Sequence, residues 1–326
     1  IKLKDIGKNR LATMGIAAIL VMIVHLWGAA EWPMWLQHIQ QFGQNGVDIF
    51  LFLSGLGCFY SISSRSTGEF YQRRFLRIIP SHLIVLIAYG LIKVLSWGYS
   101  VWDYYYENSL LAFITHGYTL GWFVSAILIL YAITPLLYKL YTKRNVWYWI
   151  LFAVILVIDS QMCFMNLGDM VYNIRELFFN RIPVYMLGFA IGDYIKKNPE
   201  HEVQLVSFKW IASTVALLAL FFVNSWFAPQ SIVMDLCHYI AILLAPVCVL
   251  WLTYLFNHIP HQFITDIGNM SLETYLINEK LAILLWVYLP RSDNYIINLF
   301  AFVLTLIGAD LIRRASNGIT RKVQNL

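Results

Sequence analysis

Hydrophobic residues in this chain form long continuous runs that are separated by short polar segments. A helix rises about 1.5 Å per residue, so about 20 apolar residues cross a hydrocarbon core of roughly 30 Å. The fold class predicted from this pattern, with a window of about nineteen residues, is an all-α, polytopic transmembrane helical bundle of about ten spans. The predicted spans lie at about residues 11–30, 43–62, 78–98, 121–141, 146–162, 177–195, 210–228, 236–256, 267–289 and 295–312.

Composition excludes an ordinary soluble domain. Hydrophobic residues make up 60% of the chain and charged residues only 13%, whereas charged residues are about a quarter of soluble domains. The four cysteines are scattered, without the spacing of a metal site or a disulfide framework, so no metal is expected. No linker marks a second domain, and a single membrane domain is expected over residues 1–326.

Charged residues divide between the two sides of the predicted bundle. If the N-terminus is cytoplasmic, most of the 23 basic residues fall in short inner segments, and the outer segments are mainly acidic. The positive-inside rule then predicts cytoplasmic termini in a multi-pass cell-membrane protein, and it explains the basic excess without nucleic-acid binding. A further apolar stretch, residues 109–120, is too short to span and is predicted to be re-entrant or interfacial. The inner basic residues are Lys2, Lys4, Lys8, Arg10, Arg65, Arg73, Arg74, Arg77, Lys139, Lys143, Arg144, Lys196, Lys197, Lys209, Arg313, Arg314, Arg321 and Lys322.

Two polar residues in the first two spans are candidates for catalysis. An ionisable side chain inside a span marks a functional site by default, and His25 is such a residue. Asp48, near the outer end of the second span, lies at a similar predicted depth. A carboxylate beside an imidazole fixes its tautomer and raises its basicity, as a general base needs. The structural alternatives are that His25 caps a neighbouring carbonyl and that Asp48 is a helix N-cap.

An arginine cluster follows the second span on the predicted cytoplasmic side. Arg74 and Arg77 are three residues apart, so they share a helix face and are expected to hold phosphates through their planar guanidinium groups. The alternative is a positive-inside cluster with no ligand. Lysines would serve that purpose equally well, yet this cluster contains only arginine.

These segments carry a family resemblance. GVDIFLFLSG at residues 46–55 and RRFLRIIP at residues 73–80 resemble the paired signature of the acyltransferase 3 family of membrane enzymes. The runs GWFVS (121–125), RIP (181–183) and IGNMS (267–271) are similar to later motifs of that family. Two positions depart from its pattern. Met14 stands where the family has an arginine before the first-span histidine, a role that Arg10 would take, and Asn278 stands where the late motif usually has histidine.

The resemblance implies transfer of an acyl group, most often acetyl, from cytoplasmic acyl-CoA to a hydroxyl of a cell-envelope glycan or lipid-linked sugar. It implies that His25 is the general base, that Asp48 holds the imidazole, and that Arg10, Arg74 and Arg77 bind the donor. The location implied is the bacterial plasma membrane, with the lipid bilayer as surroundings. The alternative function is a non-catalytic transporter or flippase of an envelope intermediate, a class in which internal repeats are common. No convincing repeat occurs in this sequence.

Overall fold

The structure is a computed structural model that describes residues 1–26, 33–117, 119, 121–164, 168–227, 232–289 and 294–324. Within these ranges the elements are helices and no strand is present, which confirms the predicted all-α class. A 3-10 turn at Phe179–Arg181 precedes α11. In chain order the helices are α1 (Asp5–Lys8), α2 (Arg10–Val24), α3 (Met34–Phe42), α4 (Asn45–Ser63), α5 (Thr67–Trp97), α6 (Val101–Glu107), α7 (Leu110–His116), α8 (Trp122–Lys143), α9 (Asn145–Phe164), α10 (Asp169–Leu177), α11 (Ile182–Lys197), α12 (Phe208–Phe227), α13 (Ile232–Phe256), α14 (Gln262–Asn269), α15 (Ser271–Tyr288) and α16 (Asn294–Gln324).

The helices match the predicted spans in position. In the described part of the chain, six helices are long and apolar enough to cross a membrane by length and composition, while α2 and the segment 208–223 are apolar but shorter. The protein is therefore a polytopic helical membrane protein. Each predicted span coincides with a helix or a helix pair, and the number of about ten spans stays a prediction. The end of the first predicted span, residues 27–30, lies outside the described residues.

The predicted span at 267–289 is divided in the structure. Met270 separates α14 from α15 with φ −112° and ψ 19°, outside helical geometry. α14 is amphipathic, with exposed Gln262 donating a hydrogen bond to Asp266, and such a helix lies at a surface instead of crossing the membrane. The predicted span therefore corresponds mainly to α15.

α4 lies at the centre of the bundle and is buried on all sides. Its closest partner is α11, and glycines on both helices permit the contact. A Cβ at Gly55 would overlap the carbonyl oxygen of Tyr185, and a Cβ at Gly188 would overlap that of Phe52. Small residues of this kind let membrane helices approach closely enough for backbone packing. The α4–α11 pair is therefore the fixed scaffold on which the surrounding helices are placed.

α5 extends from one side of the bundle to the other. It begins at a capping box, in which Ser66 and Glu69 satisfy each other's backbone N–H groups. It ends at Gly98, whose φ of 67° is in the left-handed region that glycine adopts without strain. Its 31 residues correspond to about 46 Å. The same helix therefore carries the arginine cluster at one end and aromatic residues at the other.

Contacts between distant segments agree with the predicted sidedness. Lys2 and Lys4 form ion pairs with Glu200, so the N-terminal segment and the α11–α12 loop lie on the same side. At the other side, the Trp97 indole N–H donates to the Tyr288 hydroxyl at 2.8 Å. The predicted topology places the partners of each contact on the same side of the membrane. The assignment of the first side to the cytoplasm stays a prediction.

Candidate active site

A basic cavity of about 550 Å³ lies between the N-terminal segment and the ends of α4, α5 and α11. Its lining includes four cationic side chains, Lys4, Arg10, Arg74 and Lys196, and no acidic one. Clefts lined by one sign of charge concentrate ligands of the opposite sign. The basic cavity is therefore suited to a polyanionic ligand that enters from the side of the chain termini.

A second, inner cavity of about 280 Å³ lies deeper in the bundle. Aromatic side chains dominate its lining, among them Phe50, Phe123 and Tyr275. Arg10 and Arg74 line the inner cavity as well as the basic cavity. The two guanidinium groups therefore form the wall that the cavities share.

Arg10 and Arg74 face each other across Gly57. Their Nη2 atoms lie 3.5 and 3.7 Å from the position that a Cβ on Gly57 would occupy. The Arg74 Nη2 donates to the Gly57 carbonyl at 2.7 Å, and its guanidinium lies over the ring of Tyr131 at 5.3 Å. The buried Nε of Arg10 has no hydrogen-bond partner among the described residues. Two neighbouring cations without a described carboxylate partner favour an anion between them.

Arg77 differs from Arg74 because its charge is already paired. Its Nη1 and Nη2 contact the two carboxylate oxygens of Glu273 at 2.6 and 3.2 Å. Glu273 is fully buried and also accepts from the Ser81 hydroxyl at 2.6 Å, which in turn contacts Ser316. Arg77 also lines the inner cavity, and the expectation that it binds the donor's phosphates together with Arg74 stays a prediction. Arg10, and not Arg77, is the cation that faces Arg74.

His25 terminates α2 and faces α15. Its Nδ1 lies 2.9 Å from the side-chain nitrogen of Asn278. In this arrangement the amide donates to Nδ1 and the proton of the neutral ring is on Nε2. A half-turn of the amide presents its oxygen instead, places the proton on Nδ1 and leaves Nε2 as a base. Nε2 can therefore take up and return a proton only in the second arrangement, in which the amide oxygen accepts from Nδ1–H before and after the transfer.

Asp48 has a partner that the sequence did not suggest. Its carboxylate pairs with Arg181 at 3.4 Å, and both side chains are buried. The Arg181 guanidinium also lies over the ring of Trp122 at 5.6 Å. The expected contact of Asp48 with His25 is not among the described contacts, in which the His25 ring hydrogen-bonds to Asn278. Asp48 therefore joins α4 to the starts of α8 and α11.

Sequence reasoning missed these partners, although some signals were present. Glu273 and Asn278 are polar residues in a predicted span, which marks them as cavity-lining candidates. Asn278 also occupies the motif position at which the resembling family has histidine. Nothing in the sequence identified Arg181 as the partner of Asp48. In the described part of the chain, no group of three or more His, Cys, Asp and Glu side chains is placed to hold a metal ion.

Comparison with known proteins agrees with the motif resemblance. The acyltransferase 3 family model, described as an acyltransferase domain, matches residues 15–314, nearly the whole chain. The matched range includes His25, Asp48, Arg74 and Arg77, whereas Arg10 precedes it. Comparisons with the curated proteins and with the solved structures find no match. The family expected from the sequence is confirmed, and the chain belongs to the acyltransferase 3 family of membrane acyltransferases.

Proposed function

We propose that the protein transfers an acyl group, most often acetyl, from cytoplasmic acyl-CoA to a hydroxyl of a cell-envelope glycan or related acceptor, in the bacterial cell membrane. Membership of an acyltransferase family supplies the reaction class. The observation that carries the proposal is the pair of guanidinium groups, Arg10 and Arg74, on the shared wall of the basic and inner cavities. An anionic headgroup joined to a long uncharged arm suits that arrangement.

The donor's parts match the two cavities in charge. Its phosphates are polyanionic, and the basic cavity offers Arg10, Arg74 and Lys196. Its fourth cation, Lys4, is paired with Glu200. Bidentate contacts from guanidinium to phosphate are among the strongest hydrogen bonds in proteins. The acyl-pantetheine arm is thin and mainly uncharged, so it would extend past the two arginines into the inner cavity. The thioester would then lie in the region between that cavity and His25.

The proposed chemistry uses His25 as the proton carrier. The acceptor hydroxyl loses its proton to Nε2 of the ring while its oxygen attacks the thioester carbonyl carbon. A C–O ester bond forms, the C–S bond breaks, and the CoA thiolate takes the proton back from the imidazolium. Asn278 lies against Nδ1, and with its amide oxygen turned to accept from Nδ1–H it leaves the lone pair of Nε2 for the substrate proton. Asp48 is proposed to support the His25 imidazole, and its described partner is Arg181 at the start of α11.

A binding experiment tests the donor part of the proposal. CoA affinity is measured on purified protein in lipid nanodiscs for Arg10→Ala, Arg74→Ala and the double variant. One charge-assisted hydrogen bond contributes about 1.5–3 kcal/mol, so each change should weaken CoA binding by about tenfold or more. Arg74→Lys should recover only part of the loss, because an ammonium lacks the planar fork.

Arg73→Ala is the matched control, since Arg73 precedes Arg74 in the sequence but is exposed and does not line either cavity. It should bind CoA like the wild type. Arg77→Ala should have a smaller effect than Arg74→Ala, because the Arg77 guanidinium is engaged by Glu273. Unchanged CoA affinity in the Arg10→Ala/Arg74→Ala double variant would show that neither arginine binds the donor and that both serve only the membrane topology. Release of free CoA thiol from acetyl-CoA separates the enzyme from a transporter that only binds.

A further inference from the structure

The segment that precedes α2, residues 2–9, forms one wall of the basic cavity. Lys4 and Gly7 of this segment line the cavity together with the end of α11 and Pro199. The family model matches residues 15–314, so this wall lies outside the matched range. The donor mechanism uses the other cations of the cavity and gives the segment no role.

The backbone of this segment is held in place on two sides. The Leu3 N–H donates to the His201 carbonyl at 3.0 Å. The Lys4 N–H donates to the Pro199 carbonyl at 3.2 Å. The side chains of Leu3 and Ile6 are buried in the hydrophobic core, and moving the segment would expose both of them to water. A ligand therefore meets a preformed wall, in which only the exposed side chains can change partner.

Glu200, in the loop after α11, holds two lysines of this segment. One carboxylate oxygen pairs with Lys2 at 2.9 Å, and the other pairs with Lys4. Hydrogen bonds from the two ammonium groups lower the pKa of Glu200 to about 2, so its carboxylate stays charged at physiological pH. The side chains of Lys4 and Glu200 are 50% and 57% exposed. Because water solvates both charges, such an exposed pair is weak and is readily exchanged for another partner.

Lys4 can leave Glu200 without leaving that carboxylate unpaired, because Lys2 stays on its other oxygen. The Lys4 side chain already lines the basic cavity. Its flexible four-carbon chain lets the ammonium turn from Glu200 to a ligand in the cavity. A phosphate group with up to two negative charges attracts the ammonium more strongly than a carboxylate whose single charge is shared with Lys2. A polyanion in the cavity therefore competes with Glu200 for Lys4.

The position of Lys4 indicates which part of the donor it meets. Arg10 and Arg74 line both cavities, whereas Lys4 lines only the basic cavity and is half exposed. Lys4 therefore lies on the solvent side of the wall that the two cavities share. In acyl-CoA the thioester and the 3′-phosphate of the ribose are at opposite ends of the molecule. With the pantetheine arm in the inner cavity, the diphosphate would lie at the two arginines and the 3′-phosphate on the side of Lys4.

We infer that Lys4 exchanges Glu200 for the terminal phosphate of the donor, and that Glu200 is a built-in competitor of that phosphate. The inference rests on the proposed acyl-CoA donor, for which it names a further binding residue and a residue that limits affinity. Without donor, the Lys4 ammonium is on Glu200. With donor, it contacts the 3′-phosphate, and Lys2 alone neutralises Glu200. The pair thus favours donors that carry a phosphate at the end remote from the thioester.

The experiment measures affinity by titration calorimetry on the full chain in lipid nanodiscs. The two probes are CoA and dephospho-CoA, which lacks only the 3′-phosphate. The variants are Lys4→Ala, Glu200→Gln and the double variant of both changes. Lys8→Ala and Glu202→Gln are the matched controls, because each removes the same charge from an exposed side chain of the same segment or loop that does not line the cavity.

Lys4→Ala should weaken CoA binding by about threefold or more and leave the affinity for dephospho-CoA at the wild-type value. Glu200→Gln should tighten CoA binding by about two- to fivefold, the effect of releasing one exposed ion pair. The same change should not tighten CoA binding when Lys4 is already alanine, because no ammonium is left to release. Both controls should bind CoA like the wild type.

Two results would overturn the inference. The first is wild-type CoA affinity in both Lys4→Ala and Glu200→Gln. The second is equal tightening by Glu200→Gln with and without Lys4, which would assign the effect of Glu200 to repulsion of the ligand instead of competition for the lysine. Failure of the wild-type protein to bind CoA would instead refute the proposed function on which the inference rests.

Discussion

The hydrogen bond between Asn278 and His25 is the contact that most directly controls the proposed base. Asn278→Leu keeps the size of the side chain but removes the donor and acceptor, so the His25 ring loses its partner on Nδ1. An unsatisfied buried polar group costs about 1–3 kcal/mol, and the ring is then free to rotate away from the substrate. Loss of a group that orients a functional histidine costs about 10–100-fold in metal sites, and a similar loss of kcat is expected here.

The assay is acyl transfer by purified protein in nanodiscs, with CoA affinity measured on the same samples. Asn278→Asp should restore most of the activity lost in Asn278→Leu, because a carboxylate accepts from Nδ1–H and leaves Nε2 as the base. Thr274→Val is the control, since Thr274 is buried on the same helix and its hydroxyl has no hydrogen-bond partner among the described residues. Transfer within a few-fold of wild type in Asn278→Leu would refute the positioning role.

Three other predictions concern the scaffold. Glu273→Gln leaves the half-exposed Arg77 without its carboxylate partner, so the free energy of unfolding of the solubilised protein should fall by about 1.5–3 kcal/mol, the contribution of a charged hydrogen bond. An unchanged melting temperature would contradict the role of this pair. Gly188→Leu places a side chain against the α4 backbone and should abolish folded yield, whereas Gly68→Leu, with open space around it, should not. A reporter fused at Asp103 should read as extracytoplasmic and one after the last residue as cytoplasmic; an external C-terminus would refute the topology.

The helices were predictable because membrane spans are long and apolar, and their signal survives averaging over a window. The same averaging hides short features. The predicted span at 267–289 runs through Met270 because an average over a window does not register a single residue outside helical geometry, although the polar face of α14 marks a surface helix. The α14–α15 boundary follows from amphipathicity, which hydropathy alone does not measure.

For the site residues, the sequence predicted the depth of a side chain in the membrane better than the neighbour that it contacts. His25 and Asp48 were expected at similar depths, and nothing in the sequence indicated that Asp48 pairs with Arg181. The spacing of Arg74 and Arg77 indicates a shared helix face. It does not reveal that Arg77 forms an ion pair with Glu273, which lies far along the chain. Rotation of a helix about its axis is decided by contacts between distant segments, such as the close packing of α4 against α11, which a single sequence does not record.

The central claim is that His25 carries the proton between the acceptor hydroxyl and the departing thiolate. The most direct measurement is acyl transfer by folded His25→Gln protein, with CoA affinity measured in parallel. Glutamine keeps a hydrogen-bonding group at this position but cannot take up a proton at neutral pH. General-base catalysis contributes about 10²–10⁴-fold, so transfer should fall by that factor while CoA binds as in the wild type. Transfer near the wild-type rate would contradict the account and assign the proton transfer to another residue.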